Sequence, residues 1–182
     1  MFGVAFLILV LITAIILGFA AGPTSPLTWA LVAFLIAIPF IHRRMAERSY
    51  IEWDDAYSVG IDSIDRQHKR LINLINQLQT AVDYSTGEEF EREALDELVD
   101  YTKTHFSYEE ELMQKYEYPE FEPHKAQHQK MIQQVEEVLA EYEEDPDRAM
   151  RHALDFLKQW LINHINGTDK EYSEYLIEKG VK

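Results

Sequence analysis

The first 42 residues carry no Asp, Glu, Lys or Arg, and all 17 basic and 32 acidic residues of the 182-residue chain follow them. A boundary that sharp divides the polypeptide between two solvents. Residues 1–21 form a nearly unbroken apolar run, long enough as a helix to cross a hydrocarbon core of about 30 Å. Gly22-Pro23-Thr24-Ser25-Pro26 interrupts it with turn residues, and a second apolar run covers 27–41. The pattern predicts a transmembrane helical hairpin over 1–42. Arg43, Arg44 and Arg48 cluster just after it, and excess Arg marks the cytoplasmic side. The expected location is therefore the inner (plasma) membrane with the remaining domain on the cytoplasmic side. A cleaved signal peptide fits less well, because no basic segment precedes the first run. Ala14, Gly18 and Gly22, with Ala30, Ala33 and Ala37 on the second run, have spacings that let membrane helices approach closely. They serve either the hairpin itself or contact with another chain, so a homo-oligomer or a subunit of a membrane complex is expected.

Residues 43–60 read as a juxtamembrane linker and an aromatic arm, with Tyr50, Trp53 and Tyr57 before Gly60. From Tyr50 onward the chain holds 14 basic and 31 acidic residues, a formal −17. A surface so acidic repels nucleic acid and anionic headgroups, which excludes nucleic acid as a partner. Cysteine is absent, so disulfides, thiolate zinc sites, iron–sulfur clusters and cysteine nucleophiles are excluded.

Residues 61–182 show helical periodicity in four stretches. Leu71, Leu74, Ile75 and Leu78 share a stripe over 62–84, which Ser85-Thr86-Gly87 ends. Leu95, Leu98, Val99, Phe106 and Met113 mark 88–116, before Tyr118-Pro119. Met131, Val135, Val138 and Leu139 mark 122–144, with Pro123 in the first turn, where a missing N–H is harmless. Leu154, Leu157, Trp160 and Leu161 mark 147–178. No stretch alternates as a strand would. The fold class is all-α: an antiparallel up-down four-helix bundle preceded by two transmembrane helices.

Five of the seven histidines fall into this pattern. His105 and Glu109 are four apart, as are His124 and His128, so each pair shares one helical face. His164 follows Trp160 by four, and His68 lies one turn before Leu71. In an up-down bundle the starts of odd helices sit level with the ends of even ones, so all five imidazoles can meet in one layer. Buried polar groups in such numbers need a partner. Five imidazoles and a carboxylate suit iron, copper, zinc or nickel, and five exceed one ordinary site, so two metals are expected. Asp169 follows His164 by five, which on an ideal helix diverges by roughly 140°; a π-type widening around Gly167 would correct this. His42 reads as an interfacial residue and His152 as a surface one.

From about Trp53 to Tyr172 the chain resembles the hemerythrin family. The likeness rests on Tyr57-Ser58-Val59-Gly60-Ile61-Asp62 leading to Gln67-His68, on His105-Phe106-Ser107-Tyr108-Glu109-Glu110, on Tyr118-Pro119 with His124 and His128, and on Trp160-Leu161-Ile162-Asn163-His164-Ile165 with Asp169. The resemblance implies two iron ions with a bridging oxo or hydroxo group. It places His124, His128 and His164 on one iron and His68 and His105 on the other, which keeps an open position. Glu109 and Asp169 would bridge, and Phe106, Trp160, Leu161 and Ile165 would wall a dry oxygen pocket. The function it implies is reversible binding of dioxygen, here next to a membrane, for storage or local delivery to an oxygen-consuming enzyme. A di-iron redox enzyme acting on peroxide or nitric oxide, or an oxygen-sensing or structural subunit, is the competing expectation.

Overall fold

The computed structural model describes the chain except positions 1, 23, 48–49, 85–86 and 141–144. Two compact units divide it, residues 1–50 and 51–182.

In the first unit α1 (Phe2–Ala21) and α2 (Pro26–Glu47) lie against each other. Neither carries an acidic residue in its first turn, and α2 tolerates Pro39 in its interior. Phe19 meets Trp29 edge-on at 5.5 Å. Thr28 is buried against Gly18, where any side chain would collide with the threonine. That part of the small-residue series therefore serves the hairpin's own packing. Gly22 has open space around it. Most large apolar side chains of this unit, Phe6, Leu9, Ile16, Leu17, Leu27 and Phe40 among them, point outward. Side chains are described for 5–21 of α1 and for α2 up to Ile41. Among the described residues no helix is long and apolar enough to cross a membrane, so the expectation of two transmembrane helices is not met by them. His42, Arg43 and Arg44 lie outside the described side chains, and Pro23 and Arg48 outside the described residues.

The second unit begins with an arm. Ile51 exchanges two hydrogen bonds with the Asn76 side chain, and a short 3-10 turn (Asp55–Tyr57) is capped by Asp54. Asp65 then accepts from Ser58 Oγ and Val59 N, which aims the chain into α3 (Asp62–Tyr84). α4 (Glu88–Lys115) carries Glu88, Glu89 and Glu91 in its first turn and Lys115 in its last, as the helix dipole favours. α5 (Phe121–Ala140) holds Pro123 in its first turn. The 141–144 end expected for this helix, the Ser85-Thr86 break, and the Val138 and Leu139 side chains lie outside what is described. α6 (Pro146–His164) starts on an Asp145 cap to Arg148 N. It runs through a π-helical turn (Ile165–Asp169) into α7 (Lys170–Glu178).

α3, α4, α5 and the α6–α7 rod form the four-helix bundle, with no strand among the described residues. Ile64, Leu71, Ile75, Leu78, Leu95, Leu98, Met113, Met131, Val135, Met150, Leu154, Leu157 and Leu161 make one buried core. Each stripe buries one face and leaves charge outside, the packing that holds up an amphipathic helix. His152 is exposed, as a surface residue should be.

Candidate metal centre

Inside that apolar core sit seven fully or almost fully buried polar side chains: His68, His105, Glu109, His124, His128, His164 and Asp169. α3 supplies the first, α4 the next two, α5 the following two and α6 His164. Asp169 comes from the π turn. The i→i+5 geometry of that turn returns Asp169 to the face of His164, whose Nε2 it approaches at 3.1 Å. No glycine is needed for it, since a side chain at Gly167 would meet nothing within 4 Å.

The donor atoms fall into two groups. Glu109, His124, His128 and His164 converge on one point, and His68, His105 and Glu109 on another, with donor atoms in each group within 4.8 Å of one another. Glu109 divides its oxygens between them. Oε1 lies 3.3 Å from His105 Nε2 and 3.6 Å from His68 Nε2, while Oε2 lies 3.4 Å from His128 Nε2 and 3.8 Å from His124 Nε2. Asp169 does the same, with Oδ2 at 3.4 Å from His68 and Oδ1 at 3.1 and 3.7 Å from His164 and His124.

This arrangement fits cations better than protons. His128 Nε2 lies 3.0 Å from His124 Nε2 and 3.1 Å from His164 Nε2, yet one ring nitrogen carries at most one hydrogen. Both nitrogens of His68, His124 Nδ1, Glu109 Oε2 and both oxygens of Asp169 are buried without a hydrogen-bond partner. Orphans of that kind are strongly unfavourable in an apolar interior, and a metal ion at each point of convergence would satisfy His68 Nε2, Glu109 Oε2 and the Asp169 oxygens.

Electrostatics without metal agree. Burial opposes charge on His68, but Asp169 and Glu109 outweigh it and raise its pKa to about 9. Burial dominates at His105 and lowers it to about 4. Burial and the Glu109 charge push Asp169 up, but His164 and His68 prevail and hold it at about 2. Glu109 is likewise held well below the carboxylate range, against its burial, by His105 and its other imidazole neighbours.

Three supporting residues escaped the sequence reading. Tyr172, wholly buried, donates to Glu109 Oε1 at 2.5 Å; it follows Asp169 by three, a spacing that could have flagged it. Gln67 Oε1 meets His105 Nδ1 at 3.0 Å, and Glu110 Oε1 meets His128 Nδ1 at 3.1 Å. Glu110 is thus half-buried against the site, whereas Glu111 is exposed. Each of the two directly precedes or follows a ligand-type residue, and adjacency on a helix gave no reason to turn it inward.

The four wall residues divide. Phe106 stacks on His128 at 3.7 Å and Trp160 on His164 at 4.1 Å. Both, with Leu161, line a cavity of about 10 Å³ that also touches Leu71, Ile75, Leu98, Thr102, Met131 and Leu157. Leu71 and Thr102 stand one helical turn from His68 and His105, and Met131 and Leu161 one turn from His128 and His164, so the cavity lies one turn from both groups. Ile165 is fully buried but is not part of that lining.

A helical bundle with a nitrogen- and oxygen-rich double cation site at its heart defines a class: a non-thiolate metalloprotein of the dinuclear kind. The hemerythrin HHE cation binding domain matches residues 59–176. Bacteriohemerythrin of Stenotrophomonas maltophilia (strain R551-3) is 40% identical over 124 residues, which cover 67% of this chain and 78% of that protein. A hemerythrin-like protein of Naegleria gruberi is 32% identical over 128 residues, covering 70% and 95%. The crystal structure of wild-type hemerythrin aligns with a TM-score of 0.59 at 29% identity, over 69% of this chain and 97% of that one. The chain belongs to the hemerythrin family. The family's cofactor, a di-iron centre with an oxo bridge, fits the cluster described.

Proposed function

We propose that this protein binds dioxygen reversibly at a di-iron centre and holds it next to a membrane, for storage or for delivery to an oxygen consumer. One observation carries the reading. The two donor groups share both carboxylates, yet one has three imidazoles and the other two. His124, His128 and His164 would hold one iron, His68 and His105 the second, and Glu109 and Asp169 would span the pair. The second iron would then be one protein ligand short. When bound, the iron pair supplies electrons and an open coordination position. The chain's own residues keep the core beside the centre dry. Leu71, Phe106, Trp160 and Leu161 exclude water from a cavity already at the lower limit for one water molecule. Thr102 turns its hydroxyl to Leu98 O at 2.8 Å and so offers the cavity no free donor. Tyr172 holds Glu109 in place.

The membrane part rests on the charge-free first 42 residues. Most of the large side chains described in α1 and α2 face outward. The decisive experiment is anaerobic purification of the full-length protein in detergent, then optical titration with oxygen and removal under vacuum. A spectral change that reverses supports a carrier. Net consumption of oxygen or peroxide with an added reductant would replace this reading with an enzyme.

A further inference from the structure

The imidazoles of the two groups are not held alike. His128 Nδ1 meets a carboxylate oxygen of Glu110 at 3.1 Å, whereas His105 Nδ1 meets the amide oxygen of Gln67 at 3.0 Å. His68 and His124 have no partner on Nδ1. A carboxylate that takes the Nδ1–H of a metal-bound imidazole makes the opposite nitrogen a stronger donor, and a neutral amide does so far less. A stronger donor, with a negative charge behind it, stabilises the more highly charged metal.

We propose, resting on the di-iron reading above, that Glu110 makes the two irons unequal. The iron held by His124, His128 and His164 is the first to lose an electron. The iron held by His68 and His105, backed only by the Gln67 amide, stays Fe(II) longer, and it is the one with the open position. Glu110 and Gln67 are positioning residues that set the order of oxidation without touching either metal. Glu110 also reaches the surface. It shares a groove of about 310 Å³ with Lys103, Gln129 and others. Its second oxygen lies 3.5 Å from Lys125 Nζ, and that cation withdraws part of the charge Glu110 offers to His128. Lys125 and Glu110 have side chains 38% and 21% exposed, so this influence is weakened by salt.

The test is an anaerobic potentiometric titration of the full-length, iron-loaded protein in detergent. Each step oxidises one Fe(II) to Fe(III), with the electron passing to added ferricyanide, and the half-oxidised state is followed by paramagnetic resonance. Iron content and the optical response to oxygen are measured on the same samples. Glu110→Gln keeps an acceptor and removes the charge. It should raise the lower midpoint by about tenfold in the Fe(III)/Fe(II) equilibrium, ~59 mV for one electron, leave the upper midpoint in place, and shrink the maximum yield of the half-oxidised state. Gln67→Glu should lower the upper midpoint instead. Lys125→Gln, on an exposed side chain, should lower the lower midpoint by less, with an effect that fades as salt rises. Two irons and a normal oxygen response with unmoved midpoints in Glu110→Gln would overturn the inference while sparing the proposed function. If that variant does not load iron, unmoved midpoints in Lys125→Gln overturn it. A wild type that binds no iron pair overturns both.

Discussion

Glu109 and Asp169 are built to be shared, each sending one oxygen to each donor group. Removing Glu109 therefore strips both groups at once. Glu109→Ala should bring iron below one per chain by elemental analysis, while exposed Glu111→Ala retains the wild-type content. Glu110→Ala is no neutral control, because it frees His128 Nδ1. Without metal, His68 keeps its proton up to about pH 9, and metal must displace it. The raised pKa stabilises the metal-free fold fully below pH 6.5, and this contribution fades as pH rises through about 9. Metal affinity should move the opposite way, rising about tenfold per pH unit between 7 and 9 and then levelling. Calorimetry of anaerobic Fe(II) uptake in two buffers of different ionisation enthalpy would count the released proton; a pH-independent affinity would refute the assignment. Tyr172→Phe keeps the buried ring and removes a hydrogen bond to a charged acceptor. It should destabilise the metal-free bundle by ~1.5–3 kcal/mol, read from denaturant unfolding.

Each helix of the bundle contributes a face, but the α6–α7 rod also has to change register in mid-course. His164 and Asp169 are five apart, and only the π turn of Ile165–Asp169 puts both on the site. The same turn sets the phase of α7, so Tyr172 and Leu176 face inward too. The turn is held from outside by Lys170 Nζ donating to Ala56 O at 2.5 Å and by Thr168 on Gln127 at 3.0 Å. Gly167 contributes flexibility to the unfolded chain and no clearance to the folded one. Gly167→Ala should therefore stabilise the bundle by about 1 kcal/mol, visible as a higher Tm at unchanged iron content. Loss of iron would show that the glycine is required after all.

The two units of the chain differ in what they turn outward. The bundle turns its charge outward around a single core, whereas the unit of α1 and α2 turns its large apolar residues outward. Gly18 faces Thr28 inside that unit, so Gly18→Leu should disturb the hairpin itself rather than a contact with another copy. If the charge-free segment anchors the protein, the full chain should stay with membranes through alkaline carbonate washing. A reporter at Lys182 should be active only in the cytoplasm, as Arg43, Arg44 and Arg48 direct. Release by carbonate would remove the anchor.

The amino-acid sequence by itself determined the helical class, the change of composition after residue 42 and the helix faces that carry His68, His105, Glu109, His124, His128 and His164. All three are periodic or compositional. Apolar stripes repeat with the helix, charge is absent or present, and residues four apart must share a face. Even the register change between His164 and Asp169 was legible, because five residues do not close an α-helical turn. Tertiary structure alone decided the supports: Tyr172 on Glu109, Gln67 on His105, and Glu110 turned inward when its neighbour Glu111 turns out. Those choices depend on which helix lies opposite and at what height. It also decided that Gly18 is occupied by Thr28 and that Ile165 lies outside the cavity lined by Phe106, Trp160 and Leu161. Spacing along one helix defines a face, but contact between faces exists only once the helices are side by side.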